Sequence, residues 1–172
     1  MTVEFLELTD LLGRALVDEK VRDTLRRFDG PCDDWEDLGS IFKRFKADGV
    51  CILAEEKNKP RGMRKRGGRP ICAVFLYSEG EGDGYENYLG ALPGGVKFGD
   101  SLNTVVKKLG EPLKIMHTNY GPDAILLRDK RRTHFLYRLE NFNLNYDFDE
   151  EDSLISVGIF QAQSRKRIKK QK

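Results

Sequence analysis

The stretch FGDSLNTVVKKLGEP, residues 98–112, is the clearest local signal in the sequence. Asp100 or Ser101 can cap the free N–H groups at the start of a helix, and Gly110 can end it. Apolar residues recur between them at the spacing of one helical face: Leu102, Val105, Val106 and Leu109. This pattern predicts a helix over 101–109 that packs its apolar stripe on a sheet.

The segments that follow this helix predict antiparallel strands. In NFNLNYDF, residues 141–148, apolar and polar residues alternate, which indicates a strand with one solvent-facing side. The acidic stretch DEEDS then turns the chain into LISVGIFQAQ, and such a short turn joins antiparallel strands. Three further segments are candidate strands: KIMHTNY (114–120), AILLRD (124–129) and THFLYRL (133–139).

The segments before the helix complete the predicted sheet. ICAVFLYSEG, residues 71–80, begins with a continuous apolar run rich in residues that favour strands, so we predict a central strand. SIFKRFK and VCILAEE are candidate strands on either side of a hairpin turn at Asp48-Gly49. We predict a loop in the preceding stretch PCDDWEDLGS, with Trp35 as a core or lid residue.

The amino-terminal segment predicts two short helices, or one bent helix. Thr9 or Asp10 can cap the first, and Asp18 can cap the second. The apolar positions behind the first cap recur at helical spacing: Leu11, Leu12, Ala15 and Leu16, together with Leu8 before it. We therefore expect this segment to place an apolar stripe against the rest of the domain.

These elements predict an α+β fold, in which short N-terminal helices and one further helix pack on an antiparallel β-sheet. A chain of 172 residues fits one domain and can bury a sizeable core. We predict a single domain over residues 1–163 that contains a basic loop at 57–70. Residues 164–172 are predicted to form a basic, flexible tail.

The formal net charge of +2 hides a segregation of charge along the chain. Residues 1–56 carry a net charge of −6 and residues 71–163 carry −5. Residues 57–70 carry +7 and residues 164–172 carry +6. The body is therefore acidic and bears two basic runs, so surfaces of either sign are available to partners.

We expect a cytoplasmic protein. The start MTVEFLELTD lacks the basic residues and apolar run of a signal peptide, and no later apolar run approaches the ~18 residues of a membrane span. Cys32, Cys51 and Cys72 are odd in number and have no CxxC spacing, which is typical of reduced thiols. We also expect that the protein does not contact a membrane.

Known patterns of catalytic and metal-binding residues do not occur in this sequence. His117 and His134 lie in separate strand-like segments without Cys or carboxylate at ligand spacing. The acidic stretch 147–152 lacks the glycine of an EF-hand, and GEGDG lacks the Lys-Ser/Thr of a phosphate-binding loop. We therefore expect a protein that is not an enzyme and that holds no metal or cofactor.

The stretch YLGALPGGVKFGDSLNTVVKKLGEP, followed by LNYDFDEEDSLISVGIF, resembles three groups of proteins over about residues 85–160. A capped helix that ends in Leu-Gly-x-Pro before antiparallel strands is similar to the repeating unit of BamE/SmpA-type lipoproteins and of β-lactamase inhibitory protein. The larger pattern resembles bacterial immunity domains found beside polymorphic toxins. The resemblance implies binding to proteins without chemistry.

Our first hypothesis is an immunity protein that neutralises a cognate toxin by occluding its active surface. Acidic side chains would bind a basic cleft of the toxin, since acidic inhibitors associate rapidly with cationic enzymes. The candidate partner-binding residues are Glu79, Glu81, Asp83, Glu86, Asp147, Asp149, Glu150, Glu151 and Asp152.

The alternative is a nucleic-acid-associated protein that binds phosphates through segments 57–70 and 165–172. Its candidate phosphate-binding residues are Arg64, Lys65, Arg66 and Arg69. Aromatic residues that could stack on bases do not interleave these runs. An enzyme of unrecognised type is the third hypothesis, because one sequence does not show which residues meet in space.

Overall fold

The computed structural model describes residues 3–55, 69–82, 84–118 and 132–162. Its helices are α1 (Phe5–Thr9), α2 (Glu19–Leu25) and α3 (Leu102–Leu109). Its strands are β1 (Asp33–Asp37), β2 (Ser40–Phe45), β3 (Val50–Glu55), β4 (Ile71–Tyr77), β5 (Lys114–Thr118), β6 (Arg132–Arg138), β7 (Phe142–Phe148) and β8 (Leu154–Gln161). The predicted α+β class is confirmed, while the candidate strand at 124–129 lies outside the described residues.

All described strands belong to one antiparallel sheet with the order β1-β2-β3-β4-β8-β7-β6-β5. The last strand in sequence, β8, inserts between β4 and β7 and so joins the two halves of the sheet. β4 lies in the interior of this order, which confirms the prediction of a central strand for residues 71–77.

One face of the sheet carries the core. On β7 the alternate residues Leu144, Tyr146 and Phe148 are buried, and on β8 Val157 and Ile159 pair with the same side. The helices contribute buried apolar residues to the same cluster, namely Phe5, Leu8, Val21 and Val105. Burial of each large apolar side chain contributes about 1.5–3 kcal/mol, so this shared face holds the helices on the sheet.

Helix α3 confirms the strongest local prediction. The Ser101 hydroxyl accepts a hydrogen bond from the Thr104 N–H at 3.4 Å, and Gly110 with φ +81° follows the last turn. Val105 is fully buried, whereas Val106 is half-buried at the margin of the contact. The stripe therefore faces the core with Val105 at its centre.

The first helix differs from the prediction. It ends at Thr9, where we expected it to begin, and a reciprocal pair of cap contacts between Glu4 and Glu7 starts it. The chain after it runs beside β4 instead, because the Gly13 N–H donates to the Ile71 carbonyl at 2.8 Å. The predicted apolar residues still reach the core, since Leu8 and Leu11 are fully buried.

The predicted loop around Trp35 is strand β1, and the prediction that Trp35 is a core residue is wrong. Its side chain is 48% exposed and its ring lies 4.8 Å from that of Phe42 on β2. Aspartate is disfavoured in strands, but here Asp33 pairs with Arg44 and Asp34 pairs with Lys43 across the two strands. These cross-strand ion pairs explain how an acidic segment forms an edge strand.

Candidate functional site

The two acidic segments leave the sheet at the same end. β4 and β8 are antiparallel neighbours, with Tyr77 at the end of β4 paired with Ser156 near the start of β8. The Ser78 N–H then donates to the Ile155 carbonyl at 2.9 Å. The loop after β4 and the turn between β7 and β8 are thereby brought side by side.

A cleft of about 290 Å³ lies between these segments, and we call it the acidic cleft. Its charged lining consists of Glu79, Glu81, Asp149, Glu150, Glu151 and Arg132. Glu79, Glu150 and Glu151 are exposed, and no other described residue pairs with their carboxylates. Within the described part of the chain, these three groups are free to meet a partner.

Glu81 has a different role from its neighbours. Its two carboxylate oxygens accept hydrogen bonds from Arg132 Nη2 at 2.8 and 3.0 Å. Because Arg132 begins β6, this ion pair fastens the loop after β4 to a strand on the far side of the cleft. Glu81 therefore positions the loop, and its negative charge is neutralised by Arg132.

Asp149 shapes the turn on the other wall. Its Oδ1 accepts the backbone N–H groups of Glu151 and Ser153, both at 2.9 Å. Asp152 completes the turn with a left-handed backbone at φ +61°, a conformation that Asp tolerates better than most residues. The carboxylates of Glu150 and Glu151 thus project from an ordered turn.

The remaining predicted acidic residues do not line the cleft. Asp147 lies within β7, where its carboxylate accepts a hydrogen bond from the Ser156 hydroxyl at 2.8 Å and contacts His134 Nδ1 at 2.5 Å. Its side chain is only 16% exposed, so it is engaged inside the protein. Glu86 and Asp152 are exposed beside the two segments, and Asp83 lies outside the described residues.

Residues proposed for phosphate binding are only partly visible. Arg64, Lys65 and Arg66 lie outside the described residues. The guanidinium of Arg69 binds the Glu36 carboxylate of β1 at 2.6 Å, and its side chain is half-buried. Arg69, the one described member of the predicted set, is thus already paired with an acidic side chain.

Sequence reasoning missed a row of polar side chains across four adjacent strands. Thr118 Oγ1 lies 2.6 Å from His134 Nε2, His134 Nδ1 contacts Asp147, and Asp147 accepts from Ser156. The row has the hydroxyl, imidazole and carboxylate order of nucleophilic sites. No spacing along the chain could reveal it, because each residue comes from a different strand.

The same pairing recurs at the next register position. His117 Nδ1 lies 3.1 Å from Thr133 Oγ1, and both residues neighbour the first pair along β5 and β6. Side chains of successive residues point to opposite faces of a sheet, so a His–Thr contact joins these two strands on each face. Cross-strand stabilisation accounts for both contacts.

Aromatic side chains support the base of the acidic loop. The buried ring of Tyr85 stacks on that of Tyr77 with 4.2 Å between centroids.

Burial raises the pKa of the nearby Cys51 thiol to about 11, so it is protonated at neutral pH and is a weak nucleophile.

Within residues 3–55, 69–82, 84–118 and 132–162, no group of three or more His, Cys, Asp or Glu side chains could hold a metal ion. Among the same residues, no helix has the length and apolar character needed to cross a bilayer.

Comparisons with known proteins are sparse. No protein-family model matches the sequence, and no curated protein matches it. A DUF4309 family protein from Bacillus subtilis has a similar structure, with a TM-score of 0.38 and 13% identity over 88% of this chain and 72% of the other.

Two further solved structures are similar. A cysteine-rich secretory protein from Staphylococcus aureus has a TM-score of 0.47 and 10% identity, over 88% of this chain and 44% of the other. A candidate β-lactamase inhibitor protein from Streptococcus mutans has a TM-score of 0.26 and 15% identity, over 89% and 94% of the two chains. At these scores the likenesses support no inference about what this chain binds.

Proposed function

We propose that this chain is a non-catalytic, cytoplasmic binding protein of the immunity type. In this proposal its acidic cleft covers the basic active surface of a cognate protein toxin. The observation that supports it is the convergence of Glu79, Glu150 and Glu151, from two distant segments, on one cleft. The resemblance of residues 85–160 to immunity domains leads to the same proposal.

The electrostatics of the cleft favour fast and specific association. A concentration of exposed carboxylates raises the rate at which a cationic partner meets the correct face. Asp149 orders one wall and the Glu81–Arg132 pair orders the other. Ordered carboxylates lose less conformational freedom on binding, so more of their attraction becomes affinity.

Reversal of charge at the cleft tests this proposal. We expect Glu150→Lys with Glu151→Lys to slow association with the partner by about tenfold or more at low salt, with a smaller effect at high salt. Asp149 is left unchanged because its carboxylate holds the turn. Proteins captured from the source cells would be identified by mass spectrometry, and each purified candidate measured by surface binding.

The matched control is Glu111→Lys with Glu140→Lys, which makes the same change in net charge at exposed sites away from the cleft. Equal loss in both variants would mean that net charge alone matters. Removal of residues 165–172, or neutralisation of Arg64, Lys65 and Arg66, is expected to leave binding unchanged. If these changes abolish binding while the cleft reversal is silent, the partner is a nucleic acid or an acidic surface.

The non-catalytic part of the proposal has its own test. We expect Thr118→Val and Thr133→Val to behave alike in assays with ester and peptide substrates. The reason is that the two threonine–histidine contacts which they remove both stabilise the pairing of β5 with β6. Each variant would be checked for folding by circular dichroism. Turnover that is present in the wild type, lost in Thr118→Val or His134→Gln and retained in Thr133→Val would show that the hydroxyl–imidazole–carboxylate row is catalytic.

A further inference from the structure

The outer side of β5 (Lys114–Thr118) is an open sheet edge in the described part of the chain. β5 is the last strand in the sheet order, and β6 pairs with its inner side. The backbone N–H and C=O groups on its outer side therefore face away from the sheet. Such an edge is a template for pairing with another strand, and natural proteins usually protect it with charge, proline or a covering element.

One face of this edge is apolar apart from the exposed His117. Leu113 is 58% exposed, Ile115 is 51% exposed and Leu139 is 42% exposed. Ile115 pairs in register with Phe135, which is buried in the core, so Ile115 extends the core face to the rim of the sheet. An added strand that placed apolar side chains on this face would cover them.

The other face of the edge carries positive charge at the start of β5, ahead of the half-buried Met116 and Thr118. Lys114 and Arg138 are exposed on the side opposite Ile115, and neither forms an ion pair with a described residue. The sequences of β5 and β6, KIMHT and RTHFLYR, contain no acidic residue. An incoming strand would meet positive charge here.

We propose that β5 binds an extended peptide as one more strand beside the eight described ones, and that the peptide alternates apolar and acidic residues. Side chains of a strand point to its two faces in turn, so this alternation places apolar groups beside Ile115 and carboxylates beside Lys114. Backbone hydrogen bonds supply affinity and the two faces supply specificity. This second binding surface goes beyond the proposed function and does not depend on it.

The full-length protein can be tested with designed peptides of about eight residues, the length needed to pair along a whole strand. One fluorescent peptide alternates valine with glutamate, and its control alternates valine with lysine. We expect the glutamate peptide to bind about tenfold or more tightly, the equivalent of about 1.4 kcal/mol, in anisotropy titrations. Hydrogen exchange at the amides of 113–118 should slow on addition of the glutamate peptide alone.

Two variants locate the contact. Ile115→Asp should weaken binding of the glutamate peptide by about tenfold or more, because it places a carboxylate where an apolar side chain must pack. The control Leu38→Asp makes a comparable change at an exposed leucine in the β1–β2 turn, at the opposite edge of the sheet, and should leave binding unchanged.

Four results would overturn the proposal. Equal binding of the two peptides, or equal binding by wild type and Ile115→Asp, would remove the predicted recognition. If the β5 amides of the free protein exchange as slowly as those of β6, the chain itself covers the edge. If Ile115→Asp instead converts a dimer to a monomer in ultracentrifugation, a second copy of the chain is the occupant.

Discussion

Replacement of Val105 by aspartate is expected to lower the free energy of unfolding by about 3 kcal/mol or more, a large part of the roughly 5–15 kcal/mol by which a typical domain is stable. Val105 is fully buried in the α3 stripe and belongs to the hydrophobic core cluster. A carboxylate there loses its hydration without gaining a partner. Urea denaturation followed by circular dichroism measures the effect.

Two positions on the same helix serve as controls. Asn103→Asp changes an exposed residue in the first turn, where negative charge is favourable, and should cost almost nothing. Val106→Asp changes a half-buried residue and should cost less than Val105→Asp. A larger loss for Val106→Asp would mean that the helix is rotated relative to the sheet.

Gly49→Ala is expected to destabilise the protein by on the order of 2–4 kcal/mol and to disturb the acidic loop as well. Gly49 has φ +67°, and an added Cβ would lie 2.4 Å from the backbone N of Tyr88 and 2.5 Å from the carbonyl O of Glu86. Both contacts are with backbone, which cannot turn away as a flexible side chain would. The segment 86–88 must therefore shift.

That shift would reach the acidic cleft through hydrogen bonds. The Glu86 N–H donates to Lys46 O at 2.8 Å and the Tyr88 N–H donates to Tyr77 O at 3.0 Å, which fixes the end of the loop that begins with Glu79. Faster hydrogen exchange over 78–88 should accompany the loss of stability.

Gly39→Ala isolates the steric part of this prediction. Gly39 has φ +86°, but no atom lies within 4 Å of an added Cβ, so this variant shows only the cost of the left-handed backbone, about 1–2 kcal/mol. Equal losses in the two alanine variants would mean that the contact between Gly49 and segment 86–88 has no energetic weight.

Local patterns predicted the elements whose stabilising groups lie close in sequence. Ser101 caps the start of α3 and Gly110 caps its end, and both act within a few residues of the backbone groups that they satisfy. The alternation in residues 142–148 predicted β7 because the period of two places each residue on a face.

Predictions failed where partners distant in sequence decide the conformation. Residues after Thr9 have helical spacing, yet backbone bonds to Ile71 hold them along the sheet. Strand β1 has an unfavourable composition, and pairing with β2, including two ion pairs with its basic residues, holds it as a strand.

In the candidate site, too, some features follow from the sequence and others from the tertiary structure. The sequence by itself determined that the acidic charge of the loop after β4 and of the turn before β8 would be concentrated in two short segments, since composition alone shows this. Only the tertiary structure decided that the segments share a cleft, because β8 inserts beside β4. It also decided which carboxylates are engaged within the protein: Arg132 and His134, each more than 10 residues away along the chain, bind Glu81 and Asp147.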